Sequence, residues 1–334
     1  ALLREIGTRR VTITQFFKTF LDTQQKDYML IDATHLLSHS SQLDVAKHGY
    51  NSKRIFIPQV NLLFIYSASI QLPVYYRMVP GNIREVKALR LTLEDCGIHD
   101  VVVISDKGFY SQDNINQLKK EKLDFIIPLR RSSKLINYTN FTKKGKRGFD
   151  GYFQFHERFI WHYSYKTPQG ILYCYLDEKL HNKEELDYLK RIETHPETHT
   201  IEMFYEKEIR FGTVAILTNL KNESAEQVYK NYKSRNSIEV MIDAMKNVLQ
   251  ADSSYMRDKE ALEGWMFITF IALQFYYLIY LLLVNKKLLK NFSPKDLLLY
   301  LSEIKKIHIN NKWYTSEITK KTETLLKKIN VHIT

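Results

Sequence analysis

Two aspartates interrupt apolar runs in the first third of the chain. Asp32 follows Tyr28-Met-Leu-Ile31 directly, and Asp106 follows Val101 to Ser105 and precedes Lys107-Gly108. A carboxylate in such a run must be paired, emerge at a strand end, or bind a metal, because an isolated buried charge is too costly. Asp106, at the C-terminal end of a short apolar strand, has a common location for catalytic groups in α/β sheets. For either residue alone the ordinary alternative is a turn or cap role. A third feature is more specific: Tyr232, Arg235, Glu239 and Lys246 carry the spacing Y-x2-R-x3-E-x6-K inside a helical stretch. At roughly 100° per residue all four point within about 60° of one another, as one polar stripe. Ile238, Ile242, Met245 and Leu249 form an adjoining apolar stripe able to dock the helix on a sheet. The same spacing permits a plain surface ladder in which Arg235 and Glu239 make an i,i+4 pair. Asp243, one turn beyond Glu239, competes with it for any shared ion. Oxygen-rich ligands suit Mg²⁺ or Mn²⁺, and none of the 11 histidines has a spacing that argues for zinc.

The elements that must position these residues begin with three strands, at 28–37, 58–67 and 72–79. Asn82-Ile-Arg-Glu85 is a capping box that predicts a helix to about Cys96, stopped by Gly97. A buried strand at 101–105, a helix capped by Ser111 and running to about Lys120, and a strand at 123–129 follow. From Arg130 to Arg210 the texture changes: aromatic and polar residues alternate in GYFQFHERFIWHYSY and GILYCYL, the period-two pattern of antiparallel strands. The core pattern resumes with GTVAILTN, and a helical stretch runs from Ser224 through Gln250. A final helix opens at Ser293-Pro294. This order predicts an α/β fold of the ribonuclease-H-like kind, a mixed sheet flanked by helices, with a β-rich insertion. The expected division is 1–129 for the first part of the core, 130–210 for the insertion, 211–284 for the second part, and 285–334 for a basic helical segment. No glycine-rich phosphate loop follows a strand, which disfavours a nucleotide-binding domain.

Lys and Arg outnumber Asp and Glu by 49 to 37, a net charge of +12 that favours a polyanionic partner such as nucleic acid. Lys53-Arg54 and Arg130-Arg131 flank the aspartates and are candidate DNA contacts, against the ordinary reading of solvated charge. Trp161 and its aromatic neighbours either stack on an unpaired base or pack as one face of a sheet. Cys96 and Cys174 are too few for a disulfide framework, which fits a reducing cytoplasm. No signal peptide opens the chain, and Ala1 with a helix-like LLREIG behind it is expected to lie inside a longer protein. Trp265 to Val284 is 20 residues without a charge, close to the length that spans a bilayer. A helix buried across a central sheet is apolar for the same reason, and that is the reading preferred to a membrane span.

Asp32 in IDAT, Asp106 in SDKGFYS, PGN at 80–82, LTN at 217–219 and the Tyr232-Arg235-Glu239-Lys246 set together resemble the DDE transposases of bacterial insertion sequences, in the subgroup with the Y-R-E-K signature. The likeness runs from about Tyr28 to Leu283. It implies a ribonuclease-H-like catalytic core with a β-rich insertion between the second Asp and the Glu. The separations, 74 residues from Asp32 to Asp106 and 133 from Asp106 to Glu239, accommodate one. It further implies that Asp32, Asp106 and Glu239 hold two Mg²⁺ ions, with Mn²⁺ able to substitute and Asp32 bridging the pair. Two such ions serve in-line phosphodiester chemistry. Arg235, Lys246 and Tyr232 are then expected to hold DNA phosphates beside the metals. The implied activity is cleavage at transposon ends and strand transfer of 3′-hydroxyls into target DNA, by a homodimer acting on double-stranded DNA at the bacterial nucleoid, with no membrane. The competing readings are a structure-selective nuclease of the same fold and a DNA-binding remnant that no longer catalyses.

Overall fold

The computed structural model describes residues 1–21, 27–49, 55–83, 89, 91, 92, 94, 95 and 101–331. Strands β1 (Tyr28–Ser38), β2 (Gln59–Ser67) and β3 (Leu72–Pro80) form an antiparallel meander. β2 is buried along its whole length, as a strand must be when both faces of its sheet are covered. Strands β4 (Val102–Ile104) and β5 (Asp124–Pro128) join on the other side of β1 and run parallel to it, giving the order β3-β2-β1-β4-β5. This is the mixed sheet that the element order predicts. Of the helix expected from Asn82 to Cys96, residues 89, 91, 92, 94 and 95 are helical, and Glu85 of its capping box lies outside the described residues. The next helix, Gln112–Lys120, is capped as read: the Ser111 hydroxyl accepts from the Asn114 N–H at 3.1 Å.

The alternating stretch after Arg130 becomes β6 (Gly151–Phe155), β7 (Arg158–Thr167) and β8 (Gly170–Asp177). They do not form a sheet of their own. β8 pairs with β9 (Thr213–Thr218), β9 pairs antiparallel with β5, and the sheet continues without a break from β3 to β6. Asn219, of the LTN motif, secures that junction by accepting from the Phe125 N–H at 2.8 Å and donating to the Leu123 carbonyl at 3.2 Å. Residues 178–208 are not strands. They form the helices Glu178–Thr194 and Ile201–Glu208, started by Asp177 and Thr200, whose side chains accept from the Leu180 and Met203 amides. Both helices close over a small core of Tyr188, Phe204 and Phe211.

The predicted helix from Ser224 to Gln250 is broken in two. α1 (Ala225–Lys233) gives way to a tight turn at Ser234-Arg235, where the Arg235 amide donates to the Tyr232 carbonyl at 3.1 Å. α2 (Asn236–Asp243) then widens into a π-helical turn over Ala244–Val248. Such turns recur at functional sites because they re-aim side chains without ending the helix. The chain next adds a short strand, Ser253–Ser254, parallel to the end of β1, before the long helix α3 (Lys259–Asn285).

α3 is long and apolar enough to cross a membrane, yet it packs on the sheet. Met266, Phe270, Leu273 and Tyr277 are buried, and the Gln274 amide donates to the Pro73 carbonyl of β3 at 2.9 Å. One side of it is left open: Ile268, Phe275 and Leu278 face outward, and only a third of its most apolar window is buried. The N-terminal helix Leu2–Thr8 crosses the start of α3 at backbone contact. A Cβ on Gly264 would stand 1.9 Å from the Leu3 carbonyl oxygen, and one on Gly7 1.8 Å from that of Glu260. Gly264→Ala must therefore push the two helices apart, an overpacking cost of about 1–3 kcal/mol. Urea denaturation should show the lower midpoint, and limited proteolysis should cut the released N-terminal helix first.

Candidate active site

β1 and β4 run in parallel with Tyr28 beside Val102 and Leu30 beside Ile104. Asp32 and Asp106 each follow the last paired residues, Leu30 and Ile104, by two positions, and Asp106 acts electrostatically on Asp32. Asp106 opens a single 3-10 turn, Lys107–Phe109, but its side chain makes no capping hydrogen bond there. Its carboxylate is thus not consumed by the turn that its backbone begins, which was the ordinary alternative for it.

Glu239 stands on α2, whose Ile238 and Met241, with Met245 of the turn that follows, are fully buried and dock this helical stretch against the core. Ile242 and Leu249 are half-buried beside them, so the apolar stripe read from the sequence is the docking face. Between the aspartate and the glutamate lies Arg235. One guanidinium nitrogen donates to Asp32 Oδ2 at 2.8 Å, and the other donates to Glu239 Oε1. The ladder pair of Arg235 and Glu239 therefore exists, but only as one arm of a bridge to Asp32. The second oxygen of Asp32 accepts from the Ala33 amide at 2.9 Å.

Burial pushes the Asp32 carboxyl above the ordinary aspartate value; Arg235 and the Ala33 N–H pull it back, and the nearby Asp106 and Glu239 push it up again. Burial works against the charge on Arg235, and Asp32, Asp106 and Glu239 together outweigh it, so its pKa lies above the ordinary arginine value. The Tyr232 phenol is raised by burial and further by Asp106 and Glu239, against Arg235. These mutual effects place Asp32, Asp106, Glu239, Tyr232 and Arg235 in one electrostatic neighbourhood. Asp243 is exposed, accepting from Asn247 Nδ2 at 2.5 Å, and does not figure among the groups that shift Asp32.

Among the described residues no three of His, Cys, Asp and Glu stand close enough to hold a metal ion as they are. The donor set nevertheless fits a hard cation. A positive group already sits between Asp32 and Glu239, and Asp106 is near enough to disfavour a further negative charge on Asp32.

The other candidates are placed differently. Lys246 is half-buried in the widened turn after α2, so the regular wheel that aligned it with Tyr232 does not hold over the whole stretch. Arg130 is exposed. Arg131 is held: it grips Glu184 with two hydrogen bonds of 2.8 and 3.0 Å and donates from Nε to the Thr213 carbonyl at 2.9 Å, tying an insertion helix to β9. Lys53 and Arg54 lie outside the described residues. Trp161 rests against Tyr152 and Phe149 and donates to Glu178 at 3.3 Å, the sheet-packing alternative.

Sequence reading missed Lys233 and Arg158. Lys233 is half-buried over the rings of Tyr229 and Tyr232, at 5.2 and 5.8 Å, with its pKa lowered by burial and by Arg158 and supported by Asp177 and Glu239. Arg158, at the start of β7, pairs with the buried Asp177 at 2.9 Å. Only the pairing of β7 with β8 and the packing of α1 on β7 bring these two cations towards Glu239; no local spacing announces them.

A family model described as Transposase DDE domain matches residues 23–275. The chain belongs to the DDE transposase family. The match covers β1 through most of α3 and so includes Asp32, Asp106 and the whole Y-R-E-K stretch. Members of this family generally use divalent metal ions. None of the curated proteins matches this DDE transposase chain. Among solved structures it is similar to the piggyBac transposase in a synaptic complex with hairpin DNA, at 10% identity and a TM-score of 0.42. That likeness covers 75% of this chain and 46% of the other.

Proposed function

We propose that this chain is a DNA transposase that cleaves at the ends of its element and joins the freed 3′-hydroxyls to target DNA, with Asp32, Asp106 and Glu239 as the catalytic carboxylates. The observation that supports this reading is the Arg235 bridge between Asp32 of β1 and Glu239 of α2, with Asp106 close enough to act on the charge of both Asp32 and Arg235. Asp32, Asp106 and Glu239 would together hold the two Mg²⁺ ions. The chemistry such ions supply when bound is activation of the attacking water or 3′-hydroxyl and stabilisation of the leaving oxygen.

The chain's own groups do the positioning. Arg235 has a planar fork of donors that suits a phosphate as well as it suits the carboxylates of Asp32 and Glu239 that it now holds, so it is the group that would take a DNA phosphate beside them. Tyr232, whose phenol pKa is raised by burial, would act as a hydrogen-bond donor to a phosphate. Lys246, Lys233 and Arg158 supply further positive charge on the α1–α2 side, and Arg130 and Lys53-Arg54 at greater sequence distance. Two ends must be handled together, so the active form is a homodimer on double-stranded DNA, at the bacterial nucleoid.

The test uses a labelled duplex carrying the terminal repeats of the element together with supercoiled plasmid. Cleavage and joined product in Mg²⁺ or Mn²⁺, both lost in EDTA, are expected. Cleavage without joining would replace the transposase by a structure-selective nuclease, and binding without either would leave an inactive remnant.

A further inference from the structure

The segment after α3 was expected to be helical and is not wholly so. Between the helices Pro294–Ser302 and Lys320–Ile329 stands a two-stranded hairpin, β10 (Lys306–Ile309) and β11 (Lys312–Thr315), paired with nothing else in the sheet system. Its turn is Asn310-Asn311, both with positive φ (48° and 59°), the backbone that a two-residue hairpin demands. The helices at its base pack on Leu283 and Leu288 of the preceding chain, but every residue of the two strands is exposed. An isolated two-stranded ribbon is marginal in water, and this one holds Ile307, Ile309, Trp313 and Tyr314 out to solvent, Trp313 at 66% exposure.

Cross-strand pairing sorts its residues. Lys306 faces Thr315 and His308 faces Trp313, which puts two basic or titratable groups and an indole on one face, the His308 and Trp313 rings 4.8 Å apart. Ile307 opposite Tyr314 and Ile309 opposite Lys312 make the other. From Lys305 to Thr315 there is no acidic residue, and residues 285–334 contain eleven lysines against four acidic groups, so this short segment carries seven of the twelve net positive charges. A second copy of so basic a chain meets that charge with its own. A polyanion complements it, and a two-stranded ribbon is one of the shapes that enter the major groove of DNA.

We propose that the 306–315 hairpin is a DNA-binding ribbon, with Lys306 and Lys312 on phosphates and Trp313 lying along the sugar and base edges. It is a contact separate from the carboxylate site and outside the family-matched stretch. The proposal rests on the transposase reading for its partner. The experiment is fluorescence anisotropy of a labelled random-sequence duplex with the full chain in EDTA, over a series of salt concentrations. K306Q/K312Q is expected to bind about tenfold more weakly near physiological salt, and to flatten the plot of log affinity against log salt by about two, near one per lost phosphate contact. W313A is expected to weaken binding at every salt with the slope kept. Unchanged affinity and slope in both variants, beside a wild type that binds, would overturn the hairpin proposal and leave the transposase reading standing. Failure of the wild type to bind any duplex would remove both. Variants that bind DNA normally but lose self-association in sedimentation would make the ribbon a contact between copies, which also overturns the proposal.

Discussion

Asp32→Asn, Asp106→Asn and Glu239→Gln are each expected to reduce metal-dependent cleavage on the order of a thousandfold or more, because each removes a charged ligand from a site that works by electrostatic stabilisation. Binding of the same duplex in EDTA should change little, since the phosphate contacts come from other residues. Strong residual cleavage in all three would sink the assignment. Asp32→Asn has a second consequence, readable without any activity. Its carboxyl is raised in the folded protein, chiefly by burial, so the native state holds that proton more tightly than the unfolded chain does. The stabilisation from this group is complete below the unfolded aspartate value and is lost as pH rises through the raised folded value. At neutral pH the wild type therefore carries a buried negative charge that the asparagine variant does not. Thermal melts in EDTA should place Asp32→Asn above wild type at pH 7, with the gap closing as the pH falls through the raised folded value and closed once it is below the ordinary aspartate value. A gap that widens towards acid would show that Arg235 more than offsets burial. A site kept for chemistry at a cost in stability is the expected pattern.

Much of this site was legible because its positions are set by short-range rules. Val101 to Ser105 is too apolar to be anything but a buried strand, and Asp106 must then emerge at its end. The sequence separation of 74 from Asp32 to Asp106 becomes the register of β1 on β4, a relation that only the paired strands reveal. Spacing also put Arg235 beside Glu239 but could not show the Arg235 arm to Asp32, which spans 203 residues. The direction of Lys246 was not legible for a different reason: the wheel assumed 3.6 residues per turn, and the chain tightens at Ser234-Arg235 and widens at Ala244–Val248. Period-two alternation found β6 to β8 but not their attachment to β9, since pairing partners are not written into a single strand. In the same way KIHI and KWYT alternate as strands do, yet they were absorbed into a segment read as helical from its flanks.

Arg235→Gln is expected to tighten Mn²⁺ binding by the DNA-free protein, against the usual direction for a substitution in an active site. Under the proposed assignment a metal would have to take the oxygens of Asp32 and Glu239 that the guanidinium now holds. Hydrogen bonds between charged groups contribute about 1.5–3 kcal/mol each. Ending that competition at the Asp32 arm alone corresponds to about tenfold or more in affinity, since about 1.4 kcal/mol is a factor of ten. Glu239 is half exposed, so its arm adds less. The same variant leaves Asp32, whose side chain is 15% exposed, without its partner and should lose about 3 kcal/mol of stability in EDTA. Mn²⁺ should restore most of it, because the ion takes the place that the arginine held. Titration calorimetry measures the first effect and thermal melts with and without Mn²⁺ the second. An arginine that merely braces α2 against β1 would give instability that metal does not mend, and unchanged or weaker Mn²⁺ binding. The native arrangement, by contrast, links metal to DNA: a phosphate that draws the guanidinium away frees both carboxylates at once. Wild type should then bind Mn²⁺ more tightly with a duplex present than without, and Arg235→Gln should show little of that difference.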